Sequence, residues 1–402
     1  MKNFFKIIKV FFKNLLVILL LLILILSFQY YHTEIYNFTE SKPFTGKYIY
    51  NPYQDYEATG LKANFHAHSN AWNNITNGKQ TPDEVINHYK NNEYDIISLS
   101  DYNKINVDIK DPEYISTYEH GMNFGKRHQL VIGADYVKHF DFYLFQNKHH
   151  KQQIIKKIKS ENSLISLAHP KLLNAYTSDD LIMLRGVTHL EILNHYKSST
   201  TIWDQSLSNG KLLWALSGDD SHDIEKPYYT FVNWNRIGVS DRKKNDVMEA
   251  LAKGNHYSVT NKKHCETNFL DSCILNKNCV TVYFKNQADR ITFIGDQGII
   301  RKDYENCKTA SYTFSLSDTY IRIEAETGSG KIFLNPLIRY NGKHLPIISY
   351  YPEVNLYLTI LYRVAVLGLN SLIMALILLI NGALVVSIKK RKSKVKLRLP
   401  KI

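Results

Sequence analysis

Leu61-Lys62-Ala63-Asn64-Phe65-His66-Ala67-His68-Ser69 is a short apolar run that ends in two histidines one residue apart. On an extended strand residues i and i+2 share a face, so His66 and His68 aim two imidazoles at one place. Neutral imidazole is the commonest metal-binding side chain, which makes the pair a candidate start of a metal site. Sixteen histidines are spread over 402 residues, so the pair alone carries little weight. Its weight comes from what lies downstream.

There, apolar strand-like runs repeatedly stop at an Asp, a His or a Glu. Thr81-Pro82-Asp83-Glu84 has the form of a helix start, with Thr as cap, Pro in the first turn and Glu closing a capping box; a helix to about Asn92 is predicted. Tyr94 to Leu99 then reads as a buried strand running into Ser100-Asp101-Tyr102-Asn103, completing a β-α-β unit. Leu130 to Ala134 leads to Asp135, with Phe140 to Phe145 as a hairpin partner. After a Lys-rich helix, Leu164 to Ala168 delivers His169-Pro170, and Val187 to Leu193 carries Glu191 and precedes Asn194. Leu212 to Leu216 runs into Gly218-Asp219-Asp220-Ser221-His222. Strands alternating with helices predict a parallel, barrel-like α/β domain over residues 61–257, with chemistry at the carboxyl ends of its strands. From Tyr257 the texture changes to short β-rich runs separated by Gly, Asp and Asn, which predicts a small all-β, sandwich-like domain over 258–350. Residues 33–60 read as an extended linker.

In chain order, His66, His68, Asp101, Asp135, His169, Glu191, Asp220 and His222 form a mixed nitrogen and oxygen donor set. Such a set suits zinc, manganese or iron, and carboxylates can bridge two ions. Singly, each has a plainer reading: an Asp after a strand is a cap or turn residue, and a buried His is satisfied by hydrogen bonding. Recurrence at successive strands favours the metal site.

With these motifs in order the chain resembles the PHP family, named for polymerase and histidinol phosphatase. His66-Ala67-His68 is similar to the family's His-x-His, Ser100-Asp101-Tyr102-Asn103 to its Thr-Asp-His-Asn, Ala168-His169-Pro170 to its Ala-His-Pro, and Gly218-Asp219-Asp220-Ser221-His222 to its Gly-Ser-Asp-Ala-His. The resemblance covers about residues 61–257 and implies a distorted (β/α)7 barrel holding one to two divalent ions and hydrolysing phosphoesters or related esters. It assigns His66, His68, Asp135, His169, Asp220 and His222 to metal, with Asp101, Glu191 and Asn194 as catalytic or orienting groups. Three positions depart from the pattern: Tyr102 stands where a ligand His follows the Asp, Asn73 replaces a carboxylate, and Asp135 replaces a bridging Glu. The stretch Tyr118-Glu119-His120-Gly121, with His128 nearby, is either a source of replacement ligands or an exposed turn. The expectation is a metal-dependent hydrolase, phosphoesterase-like and using metal-activated water; the alternatives are a catalytically reduced binding or sensory module of the cell envelope, and a structural partner in an envelope complex.

The formal charge of +13 is a matter of tails. Twelve of the 50 Lys and Arg residues flank the two apolar ends of the chain, leaving 38 against 37 acidic residues in the body, which speaks against a nucleic-acid partner. Leu15 to Leu26, extended by Phe11, Phe12 and Phe28, is about long enough to cross a bilayer, and lacks the small-residue pair of a cleavage site after it. Val364 to Ile388 is uncharged and also long enough. The basic flanks predict a two-pass chain with residues 1–32 and 351–402 forming the anchors and cytoplasmic tails, and the body outside the cytoplasm. The expected partners are therefore the lipid bilayer and a small-molecule or envelope ester. Cys265, Cys273, Cys279 and Cys307 all fall in the external part, where disulfides are expected.

Overall fold

The computed structural model describes residues 2–58, 60–261, 268–328, 330–346 and 351–396. From the N-terminus the elements are α1 (Lys2–Ser27), β1 (Tyr36–Asn37), β2 (Tyr48–Tyr50), β3 (Leu61–Asn64), α2 (Pro82–Lys90), β4 (Ile96–Ile97), β5 (Thr117–His120) and β6 (Gln129–Ile132). Then come α3 (Lys148–Ile158), β7 (Leu164–Leu167), α4 (Ser178–Met183), β8 (His189–Leu193), α5 (Thr200–Ser208), β9 (Trp214–Ser217), β10 (Asn233–Ile237), α6 (Lys244–Lys253) and β11 (His256–Asn261). The remainder adds β12 (Leu270–Asn276), β13 (Cys279–Gly295), β14 (Ile299–Thr313), β15 (Tyr320–Thr327), β16 (Gly330–Leu334), β17 (Leu337–Tyr340), β18 (Glu353–Val354) and α7 (Leu356–Lys396).

These elements fall into two compact units. The first comprises Met1–Asn37, Phe142–Gln153 and Glu353–Ile402. Two of its helices, Phe4–His32 and Leu356–Gly382, are long and apolar enough to cross a membrane. Inside this unit Ser27 Oγ donates to Asn370 Oδ1 at 2.8 Å, and Tyr30 stacks on Phe145 at 4.6 Å. Arg398 and Lys401 of the basic tail lie outside the described residues.

The second unit, Phe38–Asp141 and Ile154–Pro352, is mixed α/β. One sheet has the order β5-β6-β7-β8-β9; the other runs β12-β13-β15-β16-β11-β10-β3-β4, with β14 on β13 and with β17 joining β15 to β2. Local sequence explains several elements. α2 begins with the capping box foreseen at Thr81 and Glu84 and buries Val85, Ile86 and Tyr89. β7, Leu-Ile-Ser-Leu, is buried throughout, as a central strand with both faces covered must be. β13 alternates Val280, Val282 and Phe284 inward with Tyr283 and Lys285 outward. Each fully buried side chain of this size contributes about 1.5–3 kcal/mol.

The strand pairing differs from the expected layout in several places. β3–β4 and β7–β8–β9 are parallel, but β5–β6–β7 alternate antiparallel, and the sheets meet at two isolated bridges, Ala67 to Ser221 and Tyr102 to Glu119, and at hydrogen bonds between Ser217 on β9 and Asn235 on β10. Together these pairings link β3 and β4 to the β5-to-β9 sheet at both of its ends, in a mixed α/β arrangement. The partner of β6 is β5, not Phe140 to Phe145, which forms no strand. At residue 257, where a domain boundary was expected, β11 pairs with β16, Tyr257 opposite Leu334, and the β-rich strands continue the same sheet. Residues 48–50, within the stretch read as a linker, pair with β17. Cys273, Cys279 and Cys307 are free thiols, Cys273 facing the core and Cys307 opposite Ala288, while Cys265 lies outside the described residues.

Candidate metal centre

Alternation along β3 sends Ala63 and Phe65 into an apolar cluster and leaves Asn64, His66 and His68 on the opposite parity. The chain leaving β9 is locked to this strand end: Asp220 N–H donates to His66 O and His68 N–H to Ser221 O, both at 2.8 Å. Gly218 permits that approach, since a Cβ there would lie 2.5 Å from Glu191 Oε1 and 2.6 Å from His66 Cβ. Asp219 is the hub of the turn. It accepts hydrogen bonds from the N–H groups of Phe231, Val232 and Asn233, the hydroxyl of Tyr89 and the amide of Asn64, while burial pushes its carboxyl up to about 6. Asp220 follows in the left-handed region with φ of +51°.

The carboxylate of Asp220 meets three imidazoles: Oδ1 is 3.3 Å from His66 Nε2, 3.2 Å from His68 Nε2 and 3.3 Å from His222 Nε2. Across from it Glu119, on β5, places Oε2 3.2 Å from His68 Nε2 and Oε1 3.6 Å from His66 Nε2. The same Oε1 lies 2.7 Å from His128 Nδ1 and 3.0 Å from His169 Nε2. Two groups able to hold an ion therefore share Glu119: His66, His68, Glu119 and Asp220, and Glu119, His128 and His169, all buried.

His66 Nε2, both ring nitrogens of His68, Glu119 Oε2 and Asp220 Oδ1 are buried with no hydrogen-bond partner. Buried polar atoms are nearly always satisfied, so five in one place call for a missing partner. Ligands about 2.1 Å from a tetrahedral ion lie about 3.4 Å from one another, the range in which these atoms sit. The donor set fits a divalent cation.

The electrostatics agree. Burial opposes charge on His66, but Asp220, Glu191 and Glu119 outweigh it and hold that imidazole well above its usual range. His68 rises to about 9 against burial through its contacts with Asp220 and Glu119. Burial would raise Glu119 and Asp220; the surrounding histidines outweigh it and keep both well below the usual carboxylate range. Protons thus occupy the cluster when no ion does.

The remaining groups orient these. Glu191 Oε1 accepts from His66 Nδ1 at 2.8 Å, and its Oε2 accepts from His169 N–H at 2.6 Å and from Asn194 Nδ2 at 3.0 Å. A carboxylate on Nδ1 leaves Nε2 of His66 free to bind an ion. Asp101 accepts from Ser69 N–H at 2.7 Å, Ser69 Oγ at 2.6 Å and Asn106 Nδ2 at 2.9 Å, so it fixes the backbone after His68. His222 stacks on His68 with ring centres 4.2 Å apart, and Tyr102 stacks on the same ring at 4.8 Å with its own centre 6.1 Å from that of His222. Asp135 is not part of the cluster: it is exposed and lines a separate cavity of about 440 Å³ with Lys159, Glu161 and Lys244. Glu119 and His128 stand in the cluster instead. Their one sequence signal was proximity to other His residues, and the exposed-turn reading of Tyr118 to Gly121 fails because all four residues are buried.

No family model matches the chain, and no curated protein matches it. Among solved structures it is similar to a two-domain protein from Bacteroides vulgatus containing a predicted PHP-like metal-dependent phosphoesterase, at 13% identity and a TM-score of 0.40, over 71% of this chain and 94% of that one. None of the site geometry above depends on that likeness.

Proposed function

We propose that the protein is a membrane-anchored metal-dependent hydrolase, most simply a phosphoesterase that uses activated water. The observation that carries this reading is the set of buried, unpartnered His and carboxylate atoms at ligand-to-ligand separations. In it His66, His68, Glu119 and Asp220 hold one ion, with His222 at its edge, and Glu119, His128 and His169 hold a second. A bound divalent ion supplies Lewis acidity and lowers the pKa of its water towards neutrality. Glu191 keeps a proton on His66 Nδ1 and Asn194 fixes Glu191, so both act by positioning. Tyr102 shields the His68 ring from solvent. The two apolar helices and their Lys-rich flanks support an anchor with both termini cytoplasmic and the second unit facing envelope esters or small phosphoesters.

The stacked Tyr102 also supports a second reading, a metal-binding module with reduced catalysis, because it occupies space beside His68. Hydrolysis of para-nitrophenyl phosphate by the purified, metal-loaded chain separates the two. Turnover that disappears on chelation and returns with metal supports the hydrolase; full metal occupancy with no turnover on mono- or diesters supports the module.

A further inference from the structure

Of the four tryptophans, Trp203, Trp214 and Trp234 are wholly buried, whereas Trp72 is 47% exposed. Trp72 lies in the loop that follows His68. That loop is closed by Asn70 N–H on Gln80 O at 2.7 Å and by Lys79 N–H on His222 O at 3.0 Å, so it is braced between two segments that carry candidate ligands. Trp72, Asn73 and Asn74 have φ of 53°, 54° and 63°, three successive residues in the left-handed region. Asn tolerates that region; a bulky Trp does not, and such strain persists where surrounding contacts impose it. The contact here is the indole N–H donating to Tyr102 O at 2.8 Å, and the Tyr102 ring in turn stacks on His68. Beside them Trp72, Asn70, Asn73, Asn74 and Lys104 line a cavity of about 560 Å³.

The lining selects a chemical class. Three amides both donate and accept, as a ring of hydroxyls requires. A single aromatic face suits a flat, partly apolar ring laid on it. One ammonium suits one anionic group, and the only other apolar wall is Ala71, too little for an acyl chain. A nucleobase is better served by a second aromatic wall, which this cavity lacks.

We propose that this cavity is the subsite for the sugar ring of a glycosyl phosphoester, with the ring on the Trp72 indole, its hydroxyls on the Asn side chains and its phosphate end towards Lys104 and the metal centre. The direction of the phosphate rests on the hydrolase reading; binding of the sugar does not.

Because Trp72 is the exposed indole, quenching of tryptophan emission by acrylamide reads this site directly. The full chain in detergent, as purified, is titrated with a glucosyl phosphonate, which cannot be hydrolysed, and separately with inorganic phosphate and adenosine monophosphate. The expected result is saturable protection from acrylamide by the phosphonate, none by inorganic phosphate, and loss of the signal in Trp72→Phe. Trp72→Ala, with metal content and thermal unfolding unchanged, should weaken binding of radiolabelled phosphonate about tenfold, the scale of one stacking contact. No protection, equal protection by adenosine monophosphate, or protection that survives in Trp72→Phe overturns the proposal. The readout needs no turnover: protection in a protein that hydrolyses nothing keeps this inference and removes the hydrolase reading.

Discussion

Two clusters of buried charge lie in the second unit and differ in one respect. In the first, Arg322 on β15 donates from Nε to Asp204 Oδ1 at 2.6 Å, from Nη2 to Asp204 Oδ2 at 2.7 Å and from Nη1 to Glu324. Tyr320 completes Asp204, and Lys331 completes Glu324 at 2.6 Å. Donors and acceptors balance, and the cluster ties α5 to the sheet. In the second, His66, His68, Glu119 and Asp220 approach to 3.2–3.6 Å with five buried atoms unpartnered. Burial of charge is common to both. The unfilled valence is what separates a structural ion network from a site built around a cation.

The comparison breaks most visibly at Glu119, the carboxylate both ion-binding groups share. Glu119→Gln keeps the shape and removes the charge; metal affinity should fall more than about 100-fold, since even groups behind the ligands cost about 10–100-fold. Elemental analysis alongside circular dichroism checks that the fold stays while the ions go. Arg322→Met should do the reverse. It removes the buried cation that Asp204 and Glu324 share and should cost about 3–5 kcal/mol in denaturant unfolding, with metal per folded chain unchanged. Glu191→Gln sharpens the picture further: loss of the charged acceptor behind His66 Nδ1, with one of its two oxygens replaced by a donor, should weaken metal binding about 10–100-fold with little change in unfolding. Unchanged affinity would remove Glu191 from the site.

The effect that is smallest per step, about tenfold for each pH unit, is the pH dependence. In the metal-free protein His68 has its pKa raised to about 9, so the stability its charge contributes is fully present below the unfolded value of about 6.5 and is lost as pH rises through the folded value. An ion must displace that proton. Metal affinity should climb about tenfold per pH unit between about 6.5 and 9 for this proton and then level off, as calorimetric titration at several pH values can show.

The sequence was most legible where apolar rhythm and chemistry coincided. The i, i+2 spacing of His66 and His68, the capping box at Thr81 and the Gly218 to His222 turn could be read because each follows an apolar strand or carries its own local signature. β5 could not be read the same way. Thr117-Tyr118-Glu119-His120 is fully buried yet polar, because Glu119 and His120 pair with His128 and Gln129 at the start of β6, so an apolar-run criterion passes over it. Asp135 was chosen because it ends an apolar run, but β6 runs antiparallel to both neighbours, and its end carries Asp135 to a separate cavity. The join between β11 and β16 was equally hidden, since pairing between distant segments leaves no mark in local composition.

The most direct test of a site built around a cation is the metal content of the full chain purified in detergent, reloaded with zinc, manganese or iron and dialysed, measured beside Asp220→Ala and Arg322→Met. One to two ions per chain in the wild type and in folded Arg322→Met, with loss in Asp220→Ala, is the predicted result. Less than one ion per wild-type chain, or equal retention in Asp220→Ala, contradicts it.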